Sequence, residues 1–157
     1  MAKKESTFLT ELGHSFREQY PSCWFYKIPD APSAARFMAK RPFDAFLTLG
    51  NIPIAIEAKA LNKLSAINYN LLEEHQKEAL EEFESYPGRH SFVFVNIRQR
   101  ANVFEGIKQV NRLYIFNYLF LKEKGSILKK ELDQYPYVSG KNKRFNLTSF
   151  VHKFKTL

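Results

Sequence analysis

The sequence predicts an α/β fold, a mixed β-sheet flanked by helices, in a single domain spanning residues 1–157. Three observations carry this reading. Residues 43–61, "FDAFLTLGNIPIAIEAKAL", read as a β-hairpin around a central Gly-Asn turn. The segments 5–20 and 70–86 repeat apolar residues at helical spacing. The run "SFVFVNIR" at 91–98 is rich in β-branched and aromatic residues, as a buried strand is. The resulting order, helix, strand, hairpin, helix, strand, suits helices packed on a sheet.

Each element has its own warrant. In 5–20, Phe8, Leu9, Leu12 and Phe16 form one apolar stripe, and Pro21 ends the helix. "CWFYKIP" reads as a short strand, and 31–42, "APSAARFMAKRP", as a loop of small and basic residues bounded by prolines. In 70–86, Asn70 is placed to cap the helix, with Glu73 three residues on as in a capping box, and Pro87-Gly88 stops it. A further helix is expected near 127–134, opening at Ser126, followed by a basic tail.

Composition narrows the class. At 45% hydrophobic and 25% charged, the chain reads as globular. Its one cysteine, Cys23, excludes an internal disulfide framework. "MAKKESTF" lacks the apolar core of a signal peptide. The longest apolar run, "LYIFNYLFL" from Leu113, falls well short of the ~20 residues that span a bilayer. A cytoplasmic protein with no membrane partner is the expectation. Net charge is +8, and it is unevenly spread: residues 70–86 hold six acids and one lysine, while 87–157 hold fourteen basic residues against four acids. Such a surface attracts polyanions, nucleic acid first among them. There is no Gly-rich phosphate loop, and His14 and His90 lack partners at metal-ligand spacing.

The hairpin poses the chemical question. Gly50-Asn51 suits a two-residue turn, because both residues tolerate positive φ. Leu49 then faces Ile52, and the same register sets Asp44 opposite Glu57. Alternation places Glu57 and Lys59 on one face and Ile54, Ile56 and Ala58 on the other. Directly opposed like charges destabilise a strand pair. A hard divalent cation would offset this, since Mg²⁺ binds one or two carboxylates together with waters and phosphate oxygens. Lys59 is then placed to neutralise a phosphate or orient a water. The bland alternative is a solvent-facing sheet on which Lys59 merely pairs with an acid.

"FD", twelve residues and then "EAK" resembles the PD-(D/E)xK nuclease superfamily, with Phe43 in place of the motif's nominal proline. Within it, "IEAKALNKLSAINYNLLEEHQKEAL" is similar to Holliday junction resolvases of the RecU type and their archaeal relatives, including the "HQ" at His75-Gln76. "GSILKKELDQYPYV" resembles that family's C-terminal region more faintly. The resemblance is best over 40–100. It implies a restriction-endonuclease-like core, Mg²⁺ or Mn²⁺ as cofactor, four-way DNA junctions as substrate and a homodimer that makes two symmetric cuts. It implies Asp44, Glu57 and the Ala58 carbonyl as metal ligands, Lys59 as the catalytic lysine, and Gln76 as a helix residue reaching into the site. Gln76 also interrupts the apolar stripe of Leu72, Ala79, Leu80 and Phe83. The family's acid from the first helix falls on Glu11, with Glu5 as the alternative. The family's long stalk before the motif Asp is replaced here by the short loop up to Arg41. Arg36, Lys40, Arg41, Lys63, Arg98 and Arg100 are candidates for DNA contact, and Lys141, Lys143 and Arg144 for tracking phosphates. Other DNA substrates, or a non-catalytic DNA-binding module, are the competing readings.

Overall fold

The computed structural model describes residues 3–30 and 40–155. Its first element, α1 (Lys3–Gln19), buries Phe8, Leu9, Leu12 and Phe16, the stripe expected of it. The chain then enters β1 (Trp24–Lys27), β2 (Ala45–Leu49) and β3 (Ile52–Leu61). Gly50, at φ 60°, turns β2 into β3. That turn pairs Leu49 with Ile52 and runs the register unbroken to Ala45 and Ile56.

Two short pieces, β4 (Ile67–Asn68) and a 3₁₀ turn (Tyr69–Leu71), lead into α2 (Glu74–Ser85). This corrects the expected helix over 70–86. Asn70 is not its cap; the Asn68 side chain accepts from the Asn70 N–H at 2.8 Å and shapes the 3₁₀ turn instead. The helix opens one turn later at Glu73, whose backbone N–H donates to Gln76 Oε1 at 2.9 Å. The capping-box spacing exists in both places, and the polar Asn68 draws the first into a turn.

Strand β5 (His90–Gln99) follows and pairs with β3 in parallel. Then come β6 (Val110–Asn117), α3 (Tyr118–Lys124), β7 (Ser126–Ile127), β8 (Val138–Ser139) and α4 (Thr148–Lys155). The segment expected to be helical near 127–134 is a 3₁₀ turn over Lys129–Gln134, preceded by strand at Ser126. The main sheet has the order β1-β2-β3-β5-β6-β8, with β3–β5 its parallel pair and the other contacts antiparallel. This is a mixed sheet flanked by helices, the α/β class expected from the sequence.

The two faces of the sheet hold separate cores. On one, α1 and α4 cover Ile54, Ile56, Ala58, Phe92 and Phe94. On the other, α2 and α3 cover Ala55, Val93, Val95 and Ile97. Successive residues of a strand point to opposite faces, so odd-numbered positions of β3 belong to the α2 side. Among the described residues, no helix is long and apolar enough to cross a membrane.

Candidate active site

The odd-numbered positions on β3 turn from apolar to charged at Glu57 and Lys59. Asp44 sits just before β2, where its backbone is held from both sides. Its N–H donates to the Ile56 carbonyl at 3.0 Å, and its carbonyl accepts from the Ile28 N–H at 2.9 Å. The hairpin register thus carries one residue beyond the strand and brings Asp44 beside Glu57. Both acids are almost fully buried, at 2% and 1% exposure.

The side chains form a connected network. Asp44 Oδ2 accepts from the Ala58 N–H at 2.8 Å, while Oδ1 accepts from Arg41. Glu57 Oε1 lies 3.0 Å from Lys59 Nζ. Lys59 in turn donates to Gln76 Oε1 at 3.1 Å, the same oxygen that caps α2. Gln76 therefore fixes the lysine to the start of a helix. Burial, and then the Asp44 charge, push the Glu57 carboxyl up to about 8, against the pull of Lys59 and Arg41.

The cavity above this network is lined by Asp44, Glu57, Lys59 and Gln76 from the expected set. Glu5, Asp30, Lys40, Arg41, Glu73 and His75 complete its wall. The first-helix acid at this cavity is Glu5, not Glu11. Six helical residues stop ~120° short of two full turns, so the two acids leave α1 in different directions. Glu11 is buried and bound by Arg98, with Nη2–Oε2 at 2.5 Å, on the α1 side of the sheet. It lines a separate cavity with His14, Lys143 and Arg144.

The expected DNA-contacting cations divide. Lys63 and Arg100 are exposed, just past the ends of the parallel strands β3 and β5. Lys40 is exposed and lies 3.4 Å from Glu73. Arg41 departs from the expectation of an outward loop cation. It is turned inward, held by Asp44, by Asp30 at 2.7 Å and by the Ile28 carbonyl at 3.2 Å. Arg98 is engaged by Glu11, and Arg144 by Glu18 at 2.7 Å. Arg36 lies outside the described residues, as does most of the expected loop at 31–42. Asp30 and Glu73 were missed as members of the cavity. The β1–β2 register, which leads from Ile28 to Asp44, is the signal that would have placed Asp30 nearby.

Whether this donor set suits a divalent cation can be tested on one atom. Glu57 Oε2 is buried and has no hydrogen-bond partner among the described residues. An orphaned buried carboxylate oxygen is costly unless something binds it. Each Asp44 oxygen accepts one hydrogen bond and keeps a second lone pair. Two carboxylates with spare oxygen capacity fit a hard cation such as Mg²⁺ or Mn²⁺. The Ala58 N–H faces Asp44, and in an extended strand the carbonyl of the same residue leaves on the same edge. Ala58 can thus supply a third oxygen. Among the described residues there is no cluster of three or more His, Cys, Asp or Glu side chains of metal-binding arrangement, so such an ion would rest on two carboxylates and non-side-chain oxygens.

No family model matches the chain, and no curated protein matches it. Among solved structures, the chain is similar to Hjc, a Holliday junction resolvase from the archaeal hyperthermophile Archaeoglobus fulgidus. The two are 17% identical with a TM-score of 0.47, over 85% of this chain and 91% of that one.

Proposed function

We propose that this protein is a metal-dependent DNA endonuclease whose active site is the Asp44–Glu57–Lys59 network. The observation that carries the reading is the burial of two opposed carboxylates, one with an orphaned oxygen, beside an ammonium group. A fold seeking stability alone would replace these charges with apolar residues. Asp44 and Glu57 would hold a Mg²⁺ or Mn²⁺ ion, with the Ala58 carbonyl as a further ligand. Such an ion, when bound, polarises a phosphoryl oxygen and lowers the pKa of a coordinated water.

The remaining work falls to the chain's own groups. Lys59, whose Nζ is held by both Glu57 and Gln76, presents its ammonium at a fixed point in the cavity. There it stabilises negative charge developing on a phosphate, an interaction strengthened by the partly dry surroundings. Gln76 acts as a positioning residue through Lys59. Arg41 partly balances Asp44 and keeps its carboxylate oriented. Glu5 adds an acidic wall to the cavity mouth. Exposed Lys40, Lys63 and Arg100 supply phosphate contacts that hold the duplex without reading its sequence.

The substrate favoured by the sequence resemblance is the four-way junction, cut by a homodimer with one site per subunit. A two-fold protein would mirror a two-fold substrate. The test is cleavage of one labelled set, junction, flap, linear duplex and single strand, with and without Mg²⁺. Mg²⁺-dependent nicking with the junction cut first supports the full reading. Equal cutting of all four leaves a general nuclease, and no cutting of any removes the enzyme.

A further inference from the structure

The sheet face that carries Asp44 continues along the edge of the molecule into exposed aromatic rings. Trp24 and Tyr26 leave β1 on the face opposite Phe25, which belongs to the α1 core. Tyr26 pairs with Phe46 and Trp24 with Thr48, on the same strand that begins after Asp44. The two rings lie within 6° of parallel with centroids 5.4 Å apart, and Trp24 and Tyr26 are 55% and 45% exposed. An exposed tryptophan stacked on an exposed tyrosine contributes little to a core, so the fold alone does not account for the pair.

Position relative to the site is informative. Trp24 covers one face of Tyr26. Tyr26 lies two residues before Ile28, whose N–H donates to the Asp44 carbonyl at 2.9 Å. Two residues of strand span about 7 Å, so the half-exposed Tyr26 lies within a nucleotide's reach of the carboxylates. On the other flank, Phe46 meets Phe83 edge-on at 5.3 Å. The Arg89 guanidinium lies over Tyr86 at 4.4 Å and over Phe83 at 5.3 Å. Arg89 is exposed and forms no ion pair among the described residues, although Glu82 shares its shallow cavity. Lys40 stands exposed at the mouth of the carboxylate site.

Stacked rings with cations at their margins match the chemistry of an unpaired nucleotide, which offers a flat π face and an anionic phosphate. A second copy of this chain matches less well. A two-fold contact sets the same patch on itself, and would bring the Arg89 cations of both copies toward each other. We infer that Trp24 and Tyr26 form a stacking platform for an unpaired nucleobase beside the scissile phosphate, so that the site takes DNA carrying unpaired nucleotides next to the cut. This rests on the nuclease reading of the Asp44 site for its location.

The chain has one tryptophan, so Trp24 reports on the platform directly. The experiment titrates wild-type protein, in EDTA to prevent cleavage, with a twelve-nucleotide oligo(dT) and with an abasic oligomer of equal length and charge. Saturable quenching of Trp24 by oligo(dT) alone is the expected result. Tyr26→Ala should weaken oligo(dT) binding about tenfold, as the loss of one stacked base does, with duplex binding changed by less than about twofold. Tyr26→Leu keeps apolar bulk without a ring and should lose the binding as well. Equal quenching by the abasic oligomer, or unchanged binding by both variants, would overturn the platform in favour of simple charge attraction. A change of emission with protein concentration alone, together with a dimer by light scattering that Tyr26→Ala abolishes, would overturn it in favour of a second copy. The binding readout is independent of catalysis. If no DNA is cut with Mg²⁺ and oligo(dT) still quenches, the nuclease reading falls and the platform stands.

Discussion

The two faces of strand β3 solve opposite problems with alternate residues of one segment. Ile54, Ile56 and Ala58 face α1 and are fully buried among Phe16, Phe92 and Phe94. Glu57 and Lys59 face α2, equally deprived of water in the case of Glu57, and bring charge into the interior. The first face gains free energy from burial. The second spends some of it to hold a carboxylate that resists ionisation. The contrast teaches that the α1 side is the foundation on which a strained polar site is carried, and that the two should respond oppositely to mutation.

The largest expected effect is on cleavage. Asp44→Asn keeps an acceptor toward the Ala58 N–H but removes the charge, and Lys59→Ala removes the ammonium. Each should lower Mg²⁺-dependent cleavage by a factor on the order of 10³ or more, as loss of a transition-state electrostatic partner does. Junction binding should change little, because affinity comes mainly from phosphate contacts. Gel assays of cutting and of binding on the same samples check this. Normal cleavage by Asp44→Asn would break the assignment of the acidic face as catalytic.

Next comes the foundation. Phe94 is fully buried among Phe16 and Phe150, at 6.4 and 5.3 Å between ring centroids. Phe94→Ala should cost about 3–5 kcal/mol of stability, measured by urea unfolding. A loss below 1 kcal/mol would mean that the α1 face is not the support described here.

The acidic face should move the other way. Burial and the neighbouring Asp44 raise the Glu57 pKa from its ordinary 4.5 to about 8. A raised folded-state pKa means that the folded protein holds the proton more tightly. The stability it confers is full below pH ~4.5 and is lost as pH rises through ~8. In the absence of divalent cations, Glu57→Gln removes that loss. The variant should therefore gain stability relative to wild type between pH 5 and pH 9, by up to a few kcal/mol on the order set by ~1.4 kcal/mol per pH unit. Thermal melts across pH in EDTA measure it. Parallel pH profiles for the two proteins would show that Glu57 ionises as freely as an exposed acid.

Much of this contrast is legible in the sequence because the hairpin fixes it. Gly50-Asn51 admits one register, and a register of period two decides every side of β2 and β3 at once. The stripe of α1 is equally plain. What escaped has physical causes. Apolar run 113–121 crosses an element boundary, ending β6 at Asn117 and opening α3 at Tyr118; its one polar residue, Asn117, marks the change by accepting from the Leu119 and Phe120 N–H groups, a cap that the apolar residues on both sides obscure. The start of α2 was misplaced because two capping spacings overlap, Asn70 with Glu73 and Glu73 with Gln76. Glu5 and Glu11 are both acids on one helix, and only tertiary packing shows which turn overhangs the sheet edge. Arg41 reads as a loop cation by composition, yet Asp30 and Asp44, fourteen residues apart, close on it from two strands' ends. The tail expected to be merely basic contains α4, whose Phe150 and Val151 complete the α1-side core.

The central claim is that Asp44 and Glu57 are held together, at a cost, to bind a divalent cation. Isothermal titration of the protein with Mn²⁺ at pH 7.5, alongside Asp44→Asn and Glu57→Gln, tests it most directly. One ion per chain in the wild type, with proton release and a raised melting temperature, and no such binding in either variant, is the predicted result. Proton release is expected because a cation at Glu57 Oε2 must displace the proton that burial favours. Binding of equal strength in wild type and both variants, or no binding at all in the wild type, would contradict the claim.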